Sequence, residues 1–193
     1  MIDFINLLYE EELYVEEELI IKAKSGEVRA FTDLIHSIEN DLYRIAKTRL
    51  DNDDDICDAI QETMINAYKH LKKLKDNSHF KSWIIKILIN ECNKIYKTKK
   101  RKEKLFKKIT KEENIQPIDE SVNLVDSKIN FELLVEKLPY EEKLLVTLFY
   151  YNQYSCTEIS EIVGMNINTV KSKLKRSKEK VKKYYEGGLL HEQ

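Results

Sequence analysis

Apolar residues recur every three to four positions along most of the chain, the spacing of helices that bury one face. From Glu16 this pattern predicts a helix to Lys24, which Ser25-Gly26-Glu27 interrupts. A second helix follows and buries Ala30, Phe31, Leu34 and Ile35. A third, from Asp41 to Leu50, buries Leu42, Ile45 and Leu50. The run Asp51-Asn52-Asp53-Asp54-Asp55 is a turn and helix start, because carboxylates favour the N-terminal end of a helix dipole. The helix it opens turns Cys57, Ile60, Met64, Ala67, Tyr68 and Leu71 inward and leaves Asp54, Asp55, Asp58, Gln61 and Glu62 outward. A polar loop from Leu71 to His79 precedes a helix from Phe80 to Tyr96. Its inner stripe is Phe80, Trp83, Ile84, Ile87, Leu88, Cys92 and Ile95.

Periodicity fails over residues 109–123, which include Pro117, and the linker is drawn at 102–123. Helical spacing returns from Val125 to Lys137. Leu138-Pro139 then opens a helix with Pro in its first turn, burying Leu144, Leu145, Leu148 and Phe149 and ending near Tyr151-Asn152-Gln153. Beyond it, Cys156, Ile159, Ile162 and Val163 mark a short helix. Ser155 and Glu158 form its capping box and Gly164 its left-handed end. Asn166 caps the last helix, whose inner face is Ile167, Val170 and Leu174. These elements predict an all-α chain: an acidic leader (1–20), a helical domain (21–101), the linker, and a second helical domain (124–185). With four Gly and two Pro in 193 residues, the composition agrees.

A formal net charge of −1 conceals strong segregation. Residues 1–20 hold seven acids and no base, whereas Lys94 to Lys108 hold nine bases against Glu103. From Lys171 to Lys183 there are eight bases and one acid, Glu179. Such segregation points to a polyanionic partner and a separate acidic contact surface. The last helix carries Asn168, Lys171, Ser172, Lys175 and Arg176 on its outer side, the chemistry that major-groove base edges and phosphates accept. Ser160, Val163, Gly164 and Val170 stand at helix-turn-helix intervals, although a helical hairpin with a solvated basic face has the same pattern. Lys86, Asn90, Asn93, Lys94 and Lys97 align at steps of three and four beside the polar loop. Amides and cations so placed suit strand phosphates and unstacked bases, or simply solvent. The acidic face at Asp54 to Glu62 excludes DNA and fits a basic protein partner or water.

This order of motifs resembles a bacterial RNA polymerase sigma factor of the extracytoplasmic-function (ECF) type, over nearly the whole span from Ile21 to Lys183. Lys24-Ser25-Gly26-Glu27 with Ala30, Phe31 and Leu34 is similar to the opening of the family's N-terminal domain. Asp54 to Asp58 with Gln61 and Glu62 resembles its polymerase-binding segment, and Phe80 to Asn90 its promoter-melting segment. Leu138-Pro139 through Ile159, with Thr169 to Arg176, resembles its C-terminal domain. The resemblance implies that Asp55, Asp58, Gln61 and Glu62 face the polymerase. It implies that the loop residues Leu74, Lys75, Asn77 and His79, with Asn90, capture a flipped base of the downstream (−10) element, while Lys86, Lys94 and Lys97 hold its backbone. It assigns Asn168, Thr169, Lys171, Ser172, Lys173, Lys175 and Arg176 to the upstream (−35) element. Three positions depart from the family pattern: Ser160 and Ser177 stand where Ala is usual, and Lys173 where Arg is frequent.

The expected partners are therefore core RNA polymerase, promoter DNA and, by family analogy, an anti-sigma factor. The alternative is a stand-alone helix-turn-helix repressor or activator. An enzyme is not expected, since no set of catalytic carboxylates converges with the basic surfaces. Nor is a cofactor or metal: His36, His70, His79 and His191 are scattered, and the acidic run lacks an EF-hand's glycine and terminal glutamate. Cys57, Cys92 and Cys156 read as reduced core residues of a cytoplasmic protein, without a signal peptide or membrane span.

Overall fold

In the computed structural model, residues 15–110 and 131–189 are described, and every regular element among them is helical. Most of the leader, the greater part of the linker and the start of the helix expected from Val125 lie outside the described residues. The chain divides into two compact units, one up to Cys92 and one from Asn93.

In the first unit, α1 (residues 15–25) closes in a glycine turn. The Gly26 amide donates to the Ala23 carbonyl at 3.0 Å and the Glu27 amide to that of Lys22 at 3.1 Å, with Gly26 at φ 108°. α2 (Val28–Lys47) is one helix where the apolar spacing predicts two. No residue between Ser37 and Asp41 breaks a helix, and buried Ile38 joins Leu34 to Leu42 in an uninterrupted stripe.

α3 (Asp53–His70) starts as expected. The Asn52 side chain accepts from the amides of Asp54 and Asp55, and three aspartates occupy the first turn. Its buried face corrects the one drawn from spacing. Ile56, Ala59, Thr63 and Ala67 point inward, Ile60 and Met64 are half-buried, and Cys57 and Tyr68 are exposed. Thr63 enters the core because its hydroxyl donates to the Ala59 carbonyl at 2.7 Å, which removes the cost of burying it.

Two single turns of 3₁₀ helix, Leu71–Lys73 and Asn77–His79, lead into α4 (Phe80–Thr110). Phe80, Ile84, Leu88 and Cys92 are buried as expected, joined by Ile85 and Ile89, while Trp83, Ile87 and Ile95 are half-buried. The helix runs through residues 102–110, within the range assigned to the linker. No Gly or Pro falls between Phe80 and Thr110, and Lys and Arg are good helix formers, so nothing local stops it.

The second unit contains α5 (Phe131–Glu136), α6 (Tyr140–Tyr150), α7 (Cys156–Val163) and α8 (Ile167–Leu189). Pro139 precedes α6, its carbonyl accepting from the Glu142 amide at 2.8 Å. Leu134, Leu138, Leu144, Leu145, Leu148, Ile159, Ile162 and Val170 form the core. Phe149, expected inside, is only half-buried; Val146 and Thr147 are buried instead. Of the three free cysteines only Cys92 is a core residue, and its burial pushes the thiol up to about 12. No described helix is long and apolar enough to cross a membrane.

Candidate nucleic-acid interface

The helix-turn-helix of α7 and α8 is built from local polar contacts, beginning at the start of α7. The Ser155 hydroxyl accepts from the Glu158 amide at 3.3 Å, and the Glu158 carboxylate accepts from the Ser155 amide at 2.8 Å, completing the capping box. Gly164 takes φ 68° and ψ 31°, the left-handed conformation that an L side chain disfavours. Across it the Met165 amide donates to the Ser160 carbonyl at 3.1 Å, and the Ser160 hydroxyl donates back to the Met165 carbonyl at 2.7 Å. Of these two bonds only the second depends on the serine that stands where alanine is usual; the first uses the backbone carbonyl that any residue supplies. The Asn166 side chain then accepts from the Asn168 amide at 2.9 Å and caps α8.

On α8, Val170 and Leu174 are buried, which leaves Asn168, Thr169, Lys171, Ser172, Lys175 and Arg176 exposed. Lys173 differs from the other residues assigned to DNA. It is half-buried and pairs with Glu141 of α6, so its ammonium lies on the flank that packs within the unit. Two contacts that the spacing did not reveal extend this seam. Ser177, fully buried, shares its one hydroxyl hydrogen between the Lys173 carbonyl at 2.9 Å and the Glu142 carboxylate at 3.1 Å. Lys180 donates to the other Glu142 oxygen at 2.8 Å. The only advance signal was a serine in the inward register three residues after Leu174, opposite two glutamates at the start of α6. The seam fixes the rotation of α8 about its axis, and hence which cations face outward.

In the first unit, Asp54, Asp58, Gln61 and Glu62 are exposed and Asp55 half-buried on one flank of α3, opposite Ile56, Ala59, Thr63 and Ala67. The α3–α4 loop is held by its own polar groups. Asp76 accepts from the Ser78 amide at 2.9 Å and from the Ser78 hydroxyl at 2.7 Å, and these bonds hold its carboxyl below the usual aspartate range. Lys75 and His79 are exposed and Asn77 is half-buried. Leu74, which the resemblance places in the base-capturing loop, is a buried residue, 9% exposed. Its carbonyl accepts from Lys24 of α1 at 2.6 Å, and the same ammonium donates to Asn77 Oδ1 at 2.5 Å. Lys86 and Asn90 are exposed on the following helix, and Lys94 and Lys97, farther along α4, are exposed as well. Among the described residues no three of His, Cys, Asp and Glu stand close enough to hold a metal ion.

A family model described as Sigma-70 region 2 matches residues 34–102, and one described as Sigma-70, region 4 matches residues 128–181. The chain is 28% identical over 139 residues to RNA polymerase sigma factor SigV of Bacillus subtilis, covering 72% of this chain and 81% of that protein. It is 26% identical over 174 residues to ECF RNA polymerase sigma factor SigW of the same organism, covering 85% of this chain and 93% of SigW. The fold is similar to that of the sigma factor RpoE of Bartonella quintana, solved in complex with the anti-sigma factor NepR. That match has a TM-score of 0.63 and 19% identity, and covers 82% of this chain and 98% of RpoE. Two family models in this order, each lying on helices of the expected kind, lead with these relatives to one conclusion: the chain belongs to the sigma-70 family of RNA polymerase sigma factors, in its extracytoplasmic-function group.

Proposed function

We propose that this sigma factor docks on core RNA polymerase through Asp55, Asp58, Gln61 and Glu62, and reads the upstream promoter element with the exposed side of α8. The helix-turn-helix carries this reading: a capped, left-handed turn presents Asn168, Thr169, Lys171, Ser172, Lys175 and Arg176 together on one face. In the downstream element, the loop around Lys75, Asn77 and His79, with Asn90, takes up an extruded base while Lys86, Lys94 and Lys97 hold the strand. Lys173 supports α8 from behind. The chain performs no chemistry itself; it redirects the enzyme that does.

Its place of action is the cytoplasm, where the polymerase works. The B. quintana relative was solved with an anti-sigma factor, and this chain is inferred to have a protein antagonist of that kind. A self-sufficient repressor or activator is not favoured, because it leaves the acidic flank of α3 and the amide-bearing face of α4 without a shared purpose.

The deciding experiment is transcription in vitro with core polymerase on a promoter library. Addition of the chain is expected to start RNA synthesis at a defined set of sites, while the chain alone binds duplex DNA without selectivity. Failure to join core enzyme, or joining it without redirecting initiation, overturns the proposal. So does metal-dependent cleavage of DNA by the pure protein.

A further inference from the structure

Lys24 lies on α1, 50 residues before the loop, yet its ammonium donates to the Leu74 carbonyl at 2.6 Å and to Asn77 Oδ1 at 2.5 Å. Those two acceptors bracket the loop: Leu74 follows directly on the first 3₁₀ turn as its cap, and Asn77 begins the second. One turn of helix nearer the start of α1, Ile20 is buried, and Ala23 is buried beside Lys24, so this side of α1 is seated in the core. At the other end of the helix Glu16 pairs with Lys81, in the first turn of α4, at 2.8 Å. α1 therefore holds the loop and the start of the helix that follows it.

A lysine ammonium donates hydrogen bonds and accepts none, so the atom of Asn77 facing it must be the amide oxygen. That settles the orientation of the amide: its two N–H donors turn away from Lys24. Resting on the reading of this loop as the base-capturing element, we infer that Lys24 is a positioning residue, which orients Asn77 so that it offers donors to an acceptor atom on the extruded base. An amide free to rotate presents either a donor or an acceptor and selects weakly. An amide locked by a cation presents only donors and selects against bases that lack an acceptor at that spot.

The test uses the full chain bound to core polymerase and a fork-junction DNA with a duplex upstream half and a randomised single-stranded non-template segment. Bound DNA is sequenced and base bias scored at each position. The wild-type holoenzyme is expected to show a strong bias at the captured position. Lys24→Met should lower that bias by up to about tenfold, the upper end for the loss of one neutral amide hydrogen bond to the base, with other positions and core affinity unchanged. Asn77→Asp keeps an oxygen for Lys24 but deletes the donors. It should lose the same bias while the heat-unfolding midpoint stays or rises; it tests the Asn77 donors on which the inference depends, and retention of the bias there overturns the inference even if Lys24→Met fails to fold. Retention of the bias in either folded variant overturns the inference. So does a Lys24→Met loss spread equally over all positions and core affinity, which marks a general brace. A wild-type holoenzyme with no bias at any single-stranded position overturns the base-capture reading itself, and this inference with it.

Discussion

Two glycines with positive φ allow a direct test of the backbone argument. Beyond the adjoining residues of the chain, neither Gly26 nor Gly164 has an atom within 4 Å of where a Cβ would stand, so alanine meets no packing clash at either site and the cost is that of the local backbone conformation. At Gly164, φ 68° lies in the left-handed well, which costs an L residue about 1–2 kcal/mol. Alanine also restricts the unfolded chain, which returns about 0.4–1 kcal/mol, so Gly164→Ala should destabilise by about 1 kcal/mol net. Gly26 sits at φ 108°, well beyond the left-handed well near +57°, where the strain for a side chain approaches about 3 kcal/mol. Gly26→Ala should therefore be the more damaging by about 1 kcal/mol. Gly164→Asn should recover part of the loss, because asparagine tolerates the left-handed well better than alanine. Urea unfolding of the full chain, followed by circular dichroism and by fluorescence of the single tryptophan, Trp83, in the same unit as Gly26, measures both. A stabilised Gly164→Ala, or a Gly26→Ala no worse than it, refutes the reasoning.

Replacing Lys171 and Arg176 with Ala should abolish transcription from the cognate promoter without loss of core binding, and lower the salt slope of DNA affinity by about 0.9 for each phosphate contact removed; simultaneous loss of core binding would indicate misfolding. Reversing Asp58 and Glu62 to Lys should weaken core association, mainly through a slower on-rate, in a surface-immobilised binding assay; unchanged affinity removes that face from the interface. Thiol labelling of the native protein should modify exposed Cys57 first, half-buried Cys156 more slowly and Cys92 only on unfolding, as read by mass spectrometry. The Cys92 thiol is raised from an ordinary 9.0 to about 12, so the folded state favours its neutral form. Its contribution to stability is full below about pH 9 and is lost as pH rises toward 12; Cys92→Ala should flatten that part of the stability profile.

Much of the candidate site was legible because its signals are local. Ser155 and Glu158 are three residues apart, and Gly164 stands at a helix end, so the capping box and the left-handed turn could be read without knowing what else is nearby. The exposed side of α8 followed from Val170 and Leu174 by the same helical arithmetic. The face of α3 did not. Ile56 sits among acidic residues and Thr63 is polar, so counting apolar residues rotated the helix by about one position and placed Cys57 and Tyr68 inside. The family resemblance assigned residues by sequence position alone. It therefore could not distinguish Lys173, turned toward Glu141, from exposed Lys171 and Lys175, nor see that Leu74 is buried.

By itself the sequence determined that the chain is helical, where several helices start and stop, and which stretches carry acid and base. Those properties depend on propensity, capping and charge within a few residues of one another. Only the tertiary structure decided which side of α3 is covered, that Ser177 and Lys180 both bind Glu142, and that Lys24 reaches Asn77. Such contacts join residues 35 to 53 positions apart, and a helix with two sides fit for burial or pairing does not record which one its neighbours will cover.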